Sequence, residues 1–171
     1  MVEINVAQLL KSPIGAARTY QIDERVSFGE DNPIVQGEVT LLRTNRGILV
    51  TGTLETRLAV ICSRCVEQFF EPVRMEIEEE FFPTIDILTG AKVEVPEDDP
   101  GAFTIDQSNV LDLTEAIRQY ALIAVPMKPL CRDDCKGLCP TCGKNRNVEN
   151  CECPLPSDPR WAELLAEKPK E

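Results

Sequence analysis

Apolar and polar residues alternate along the middle of the chain, a pattern typical of β-strands that bury one face. In GILVTGTLETRLAVIC the even positions between Ile48 and Val60 are mostly apolar, and the odd positions are mostly polar. The preceding stretch, IVQGEVTLLRTN, is joined to it through Asn45, Arg46 and Gly47, which predict a hairpin turn. We therefore expect two neighbouring antiparallel strands.

A third alternating stretch, FFEPVRMEIEEEFF, follows after a short connection. Its apolar face holds Phe69, Val73, Met75, Ile77 and Phe81, and its polar face holds Arg74, Glu76, Glu78 and Glu80. Sheets with one buried and one solvated face are commonly antiparallel. The pattern predicts an antiparallel sheet with one apolar face and one acidic, solvated face.

The alternation ends at Pro83, and residues 83–109 contain three prolines, two glycines and an acidic cluster. Prolines, glycines and acidic residues in such a run favour neither a strand nor a helix. The composition predicts a mobile acidic connection over about residues 83–110.

Apolar residues return at helical spacing in DLTEAIRQYALIAVP. Asp112 is a candidate N-cap with Glu115 three residues later, as in a capping box, and Pro126 ends the pattern. A helix is predicted here, and it covers the sheet with an apolar face formed by Leu113, Ile117, Tyr120 and Ala121. A second, short helix is predicted in SDPRWAELLAEKPKE, with Asp158 as its cap and Pro159 at its first position.

The length of 171 residues, of which 43% are hydrophobic, is enough for one domain with a core and an appendage. We expect an α+β core domain over residues 1–125 and a C-terminal segment over residues 126–171. The net charge of −11 is concentrated, because residues 66–100 hold eleven acidic residues against two basic ones. This acidic balance argues against a broad nucleic-acid-binding surface; it either suits a basic partner or simply keeps the protein soluble. The chain contains no histidine, the most common general base.

The first residues, MVEINVAQLLKSPIGAARTY, lack the basic, apolar and small-residue regions of a secretory signal peptide. The sequence also has no apolar run of about 18 residues, so we expect a cytoplasmic protein without a membrane partner. Structural disulfides are rare in the reducing cytosol, where grouped cysteines usually bind metal or carry out redox chemistry. The eight cysteines are therefore candidate metal ligands.

Six of the eight cysteines lie in one short segment, LCRDDCKGLCPTCGKNRNVENCEC. CPTCG has the spacing of a zinc knuckle, and a second CxxC pair occurs in CSRC. The favoured grouping forms one site from Cys139, Cys142, Cys151 and Cys153 and another from Cys62, Cys65, Cys131 and Cys135. The alternative grouping joins Cys131, Cys135, Cys139 and Cys142, and leaves Cys62 and Cys65 to pair with Cys151 and Cys153.

Sites closed by four thiolates have no open position for a substrate, so we expect two structural Zn²⁺ ions. An iron–sulfur cluster is the rival cofactor, because four thiolates also hold such clusters. Thiol–disulfide exchange is the rival activity. Neither CxxC pair precedes a helical pattern, whose N-terminus would lower the pKa of a thiol, and the zinc interpretation is therefore preferred.

The motifs CSRC, PMKPLC, CKGLCPTCGKNRN, CEC and DPRW occur in this order along the chain. In this order they resemble the YceD family, the large ribosomal RNA accumulation proteins. The resemblance implies a non-enzymatic bacterial or plastid protein needed for the synthesis, processing or stability of large-subunit (23S) ribosomal RNA. It also implies that the Cys139 site is dispensable to the core function, because some members of the family lack the C-terminal cysteine cluster.

Two kinds of partner are compatible with this resemblance. Large-subunit ribosomal RNA, or a precursor of the large subunit, would contact a surface formed by Arg64, Lys136, Lys144, Asn145, Arg146 and Asn147. A basic ribosomal protein would instead contact an acidic surface formed by Glu76, Glu78, Glu79, Glu80, Glu97, Asp98 and Asp99. A nuclease is disfavoured, because these carboxylates follow one strand or a flexible run and do not converge on a Mg²⁺ site.

Overall fold

A computed structural model describes residues 1–29, 31–93, 101–154 and 160. Its strands are β1 (Glu3–Asn5), β2 (Ala17–Arg25), β3 (Ile34–Arg43), β4 (Ile48–Ile61), β5 (Gln68–Pro83), β6 (Phe103–Ile105) and β7 (Val110–Asp112). Its helices are α1 (Ala7–Leu10) and α2 (Thr114–Ala124). The chain forms two compact units. Unit 1 consists of residues 1–59 and 70–127, and unit 2 consists of residues 60–69 and 128–171.

One sheet of seven strands has the order β1-β7-β6-β5-β4-β3-β2. The pairs β1/β7, β6/β7, β2/β3 and β3/β4 are antiparallel. β5 and β6 run parallel, with Phe81 opposite Phe103, and the two rings stack at 5.2 Å between centroids. The sheet is therefore mixed, and the prediction of a wholly antiparallel sheet was wrong.

The alternation that predicted β4 and β5 is confirmed by burial. On β4 the buried residues are Ile48, Val50, Leu54, Thr56 and Leu58, and on β5 they are Val73, Met75, Ile77, Phe81 and Phe82. The predicted hairpin turn is also confirmed, because the amide of Thr44 donates to the carbonyl of Gly47 at 3.0 Å. A Cβ atom at Gly47 would overlap the carbonyl oxygen of Phe81, so this turn requires glycine.

α2 starts later than predicted. Asp112 lies in β7, and its carboxylate accepts a hydrogen bond from the amide of Thr114 at 2.9 Å. The expected capping box does not form, because Glu115 binds Arg118 at 3.2 Å instead. The helix ends before Pro126, as expected from the clash of a proline with the preceding turn.

One face of α2 is buried through Ala116, Ile117 and Ala121. The hydroxyl of Tyr120 donates to the carbonyl of Glu78 at 3.0 Å, which ties the helix to β5. The prediction that α2 covers the apolar face of the whole sheet is imprecise. The hydrogen bond of Tyr120 ties the helix to a single strand, β5. The second predicted helix lies outside the described residues. Within the described ranges, no helix is long and apolar enough to cross a membrane.

Candidate metal centres

The first group of four thiols, here called the first tetrad, brings together two distant parts of unit 2. Cys62 and Cys65 lie in the connection between β4 and β5, whereas Cys131 and Cys135 follow α2. The sulfurs of Cys62 and Cys135 are 3.8 Å apart, and those of Cys65 and Cys131 are 3.7 Å apart. All four ligand atoms lie within 4.8 Å of one another.

The second tetrad consists of Cys139, Cys142, Cys151 and Cys153, whose sulfurs also lie within 4.8 Å of one another. These two groups are the ones that the sequence spacing favoured. The alternative grouping, with Cys131 and Cys135 beside Cys139 and Cys142, does not occur. The local knuckle therefore completes its site with the next two cysteines along the chain.

The donor sets fit one metal ion each. Zinc–thiolate bonds of about 2.3 Å in a tetrahedron place neighbouring sulfurs about 3.8 Å apart. The sulfur–sulfur distances in the first tetrad, 3.8 Å for Cys62–Cys135 and 3.7 Å for Cys65–Cys131, agree with this geometry. A cluster with several irons would hold at least some of its thiolates farther apart, because those thiolates bind different irons. The geometry therefore favours a single ion over an iron–sulfur cluster at this tetrad.

The backbone of CSRC forms a tight knuckle around the first cysteine of the first tetrad. The amide of Val66 donates to the carbonyl of Cys62 at 3.0 Å, and the amide of Cys62 donates to the carbonyl of Glu67 at 2.9 Å. Val66 closes this turn in the left-handed conformation, with φ of 62°. That conformation is uncommon and strained for a β-branched residue.

The backbone of CPTCG repeats this arrangement in the second tetrad. The amide of Gly143 donates to the carbonyl of Cys139 at 2.9 Å, and the amide of Cys139 donates to the carbonyl of Lys144 at 2.8 Å. Gly143 has φ of 73°, so a glycine occupies the position that Val66 occupies in the first knuckle. The two knuckles thus share one backbone design with different residues at the turn.

Backbone amides favour the thiolate form of the first cysteine in each knuckle. The pKa of Cys62 is lowered to about 6, mainly by the amide of Cys131, and the pKa of Cys139 is lowered to about 6, mainly by the amide of Cys142. Burial raises the pKa of Cys131 to about 12, and the neighbouring Cys142 raises that of Cys153 to about 11. Four thiolates so close together repel one another, so a bound cation is required to keep all four ionised.

Two asparagines from the segment between Cys142 and Cys151 form hydrogen bonds around the first tetrad. The side-chain amide of Asn147 donates to the sulfur of Cys135 at 3.3 Å, and its oxygen accepts from the amide of Lys136 at 2.8 Å. Asn145 accepts from the amide of Asn147 at 3.0 Å and donates to Glu67 at 3.4 Å. Both asparagines were predicted RNA contacts. The structure gives them a supporting role at the metal ligands, which their spacing in the sequence did not indicate.

Arg64, another predicted RNA contact, also has partners inside unit 2. Its guanidinium donates to the carbonyls of Asp133 at 3.2 Å and Cys135 at 3.0 Å, and its own carbonyl accepts from the amide of Leu138 at 3.0 Å. Gly137 packs against it, because a Cβ atom there would lie 2.9 Å from the Arg64 carbonyl oxygen. Gly137 also has φ of 68°, so this position requires glycine for two reasons.

The three remaining predicted RNA contacts differ in their partners. Lys144 forms an ion pair with Glu149 at 3.1 Å, and this contact raises the pKa of Lys144. Lys136 and Arg146 are exposed, and neither forms an ion pair with another residue that the structure describes. The amide of Arg146 donates to the carbonyl of Gly137 at 3.0 Å, which places these two cations on adjoining backbone segments.

The two tetrads differ in exposure. In the first, Cys62, Cys65 and Cys135 are buried, and Phe69 and Leu130 pack against them. In the second, Cys139 is buried, Cys151 and Cys153 are half-buried, and Cys142 is exposed. The same ligand chemistry is therefore enclosed by apolar side chains at one site and open to solvent at the other.

These features define a class of protein: a sheet-rich chain with a turn-rich, cysteine-rich unit that offers two four-thiolate sites. The sequence model of the YceD family, described as large ribosomal RNA subunit accumulation protein YceD, matches residues 50–166. The chain therefore belongs to the YceD family, as its motifs predicted.

Relatives occur in mycobacteria and in a plant. An uncharacterized protein of Mycobacterium tuberculosis is 32% identical over 121 residues, which cover 71% of this chain and 56% of the relative. The chloroplastic large ribosomal RNA subunit accumulation protein YCED homolog 1 of Arabidopsis thaliana is 25% identical over 158 residues, which cover 81% of this chain and 49% of the relative. The chain thus spans about half the length of these relatives. No solved structure matches it.

Proposed function

We propose that the chain is a non-enzymatic binding factor that supports the accumulation of large-subunit (23S) ribosomal RNA during ribosome assembly. Its membership of the YceD family carries this proposal, together with the name of the plant relative. In this role the protein acts in the bacterial cytoplasm, where ribosomes are assembled. A binding role also agrees with the two tetrads, because a metal ion held by four thiolates has no open position for a substrate.

Each tetrad binds one structural Zn²⁺ ion in this proposal. Four sulfur ligands satisfy the tetrahedral preference of zinc and leave no position for a substrate or an activated water. Unit 2 is rich in turns, with neither helix nor strand over residues 128–154. An ion in each tetrad therefore supplies stability that a polar, turn-rich segment does not obtain from burial.

Lys136 and Arg146 provide the RNA contact. Both are exposed and lack an ion-pair partner among the described residues, so phosphate binding breaks no internal salt bridge. Lys144 would have to release Glu149 first. Arg64, Asn145 and Asn147 support this surface from within unit 2 through their hydrogen bonds.

The contrast between free and paired cations provides a matched test. The double substitution Lys136→Ala and Arg146→Ala should weaken binding to a transcript of large-subunit ribosomal RNA. It should also reduce the slope of log K against log salt by about 1.4–1.8, for two lost phosphate contacts. Lys144→Ala, which removes a paired cation, should change both quantities less. Equal effects of the two variants, or no effect of either, would contradict the assignment of the surface.

A basic ribosomal protein is the second candidate partner, and it would contact the acidic face of β5. Glu76 and Glu78 are exposed on this face. Glu80 already binds Arg46, and Glu79 accepts from Tyr120. Glu97, Asp98 and Asp99 lie outside the described residues. If this partner is correct, Glu76→Gln with Glu78→Gln should weaken a salt-sensitive complex with a basic large-subunit protein and leave RNA binding unchanged.

Sedimentation of the tagged protein from gently lysed cells tests the assembly role itself. Co-migration with immature large-subunit particles is the expected result. Crosslinking within those fractions then separates contact with RNA from contact with protein. A protein that stays at the top of the gradient under low salt would refute direct participation in assembly.

A further inference from the structure

The cysteine residues of the two tetrads differ strongly in their exposure to solvent. Three cysteines of the first tetrad are 1–4% exposed, and its fourth, Cys131, is half-buried. In the second tetrad Cys142 is exposed, although its sulfur belongs to the same compact group of ligands. A small oxidant therefore reaches one ligand of the second tetrad without opening the fold. It reaches the first tetrad only with difficulty, because Cys62, Cys65 and Cys135 are buried and apolar side chains pack against them.

A resolving thiol lies beside Cys142. The sulfur of Cys153 lies within 4.8 Å of that of Cys142, as do the other sulfurs of the tetrad. Cys153 is half-buried and lies at the end of the ligand segment, immediately before Pro154. An exposed thiolate next to a second thiol is the arrangement in which oxidation proceeds to a disulfide.

We propose that Cys142 is a peroxide-sensitive modification site, where oxidation forms a disulfide with Cys153 and releases the metal ion of the second tetrad while the first tetrad keeps its ion. The substrate class is a small hydroperoxide such as hydrogen peroxide. This inference rests on the proposed metal occupancy, which is measured before any oxidant is added.

The chemistry is balanced in two steps. The thiolate of Cys142 attacks the peroxide, an S–O bond forms, the O–O bond breaks, and the hydroxide that leaves takes a proton to become water. The thiolate of Cys153 then attacks the resulting sulfenic acid, the S–S bond forms, and a second hydroxide leaves as water. Two thiolates are oxidised by two electrons in total, and one peroxide is reduced to two waters. The ion loses two of its four ligands and dissociates.

The consequence falls on the predicted RNA surface. Arg146 lies between Cys142 and Cys151, inside the segment that the second ion holds closed. Release of that ion frees this segment, whereas Lys136 directly follows Cys135, a ligand of the first tetrad, in the chain. Peroxide therefore weakens RNA binding in part and leaves the rest of unit 2 folded.

The test uses the full chain loaded with zinc, with two ions per chain confirmed at the start. Hydrogen peroxide is added, zinc release is followed with a colorimetric chelator, and disulfides are located by peptide mass spectrometry. One ion per chain should leave at least tenfold faster than the other, together with a Cys142–Cys153 disulfide. Release of both ions at one rate, earlier oxidation of the first tetrad, or no release would overturn the proposal.

A second measurement, alkylation, tests the accessibility of Cys142 on the same unsubstituted chain. Limited alkylation of the zinc-loaded chain with N-ethylmaleimide should modify Cys142 first and release the same ion. A thiol reductant with added zinc should restore two ions per chain after peroxide, but not after alkylation. Fewer than two ions per chain before oxidation would instead count against the proposed metal occupancy, so the two failures are distinguishable.

Discussion

The two tetrads are built on the same knuckle, yet they do different work in unit 2. The first joins cysteines that are 66 to 73 residues apart and encloses them with apolar side chains. The second lies within residues 139–153 and includes one exposed cysteine, Cys142. The local backbone design therefore provides the ligand geometry, whereas the surrounding chain determines what an ion stabilises and how easily it is lost.

Removal of one ligand should give the largest difference between the two tetrads in hydrogen-exchange protection. Cys62→Ser removes a buried ligand that joins distant segments, so hydrogen-exchange protection should fall across residues 60–69 and 128–137. Structural zinc sites contribute on the order of 10 kcal/mol in small peptides, so this effect should be the largest. Cys151→Ser should remove protection only across residues 139–153. Loss of protection around Cys62 in the second variant would show that the sites are not independent.

Two glycines provide a matched pair for the next effect. Gly137→Ala brings a Cβ atom within 2.9 Å of the Arg64 carbonyl oxygen at a φ of 68°. Gly143→Ala has a similar φ but meets no atom within 4 Å. We expect a loss of about 2–3 kcal/mol for Gly137→Ala and about 1 kcal/mol for Gly143→Ala, measured by denaturant unfolding of the zinc-loaded chain. Equal losses would show that the close approach to Arg64 contributes nothing to the loss in the free energy of unfolding.

Asn147 supports the first tetrad only. Asn147→Ala removes the donor to the sulfur of Cys135 and the acceptor for the amide of Lys136. Such supporting bonds typically change metal affinity 10–100-fold, so the first tetrad should lose zinc to a competing chelator at lower chelator concentration. Val148→Ala, a substitution at the neighbouring exposed residue, serves as control. A selective effect on the second tetrad would contradict this assignment.

The turn residue that distinguishes the knuckles should give the smallest effect. Val66→Gly relieves the left-handed strain of a β-branched side chain that is 61% exposed and packs little within the chain. We expect a gain of about 0.5–1 kcal/mol in the free energy of unfolding, since the relief exceeds the entropic cost of glycine. The reverse change, Gly143→Val, should destabilise the second knuckle. A loss of stability in Val66→Gly would reveal a packing role for the valine side chain.

Much of the fold was predictable because the alternation on β4 and β5 is long and regular. β6 was missed because an alternating pattern cannot be recognised over three residues. Its parallel pairing with β5 is a tertiary contact that the pattern of residues does not indicate. Asp112 accepts from the amide of Thr114, as expected of a cap, although it also pairs in β7. The Glu115 half of the predicted capping box is absent, and that carboxylate binds Arg118.

The grouping of the cysteines was predictable from spacing, because neighbouring ligands close a small loop most easily. The supporting roles of Asn145 and Asn147 were not predictable from sequence. Asparagines in a basic, turn-rich segment are compatible with RNA contact as well as with hydrogen bonds to a thiolate. Only the bonds to Cys135 and Glu67 distinguish the two uses. The strain at Val66 likewise has no counterpart in the residue pattern.

The long span of the first tetrad determines when it can form. Synthesis proceeds from the N-terminus, so Cys62 and Cys65 are made well before Cys131 and Cys135, which complete their site. The second tetrad closes a loop of only 15 residues, counted from Cys139 to Cys153, and such local closure is fast. We expect nascent chains to bind the first ion only after Cys135 has been synthesised. The zinc supply during translation then determines how long the thiols of Cys62 and Cys65 remain without a metal ion.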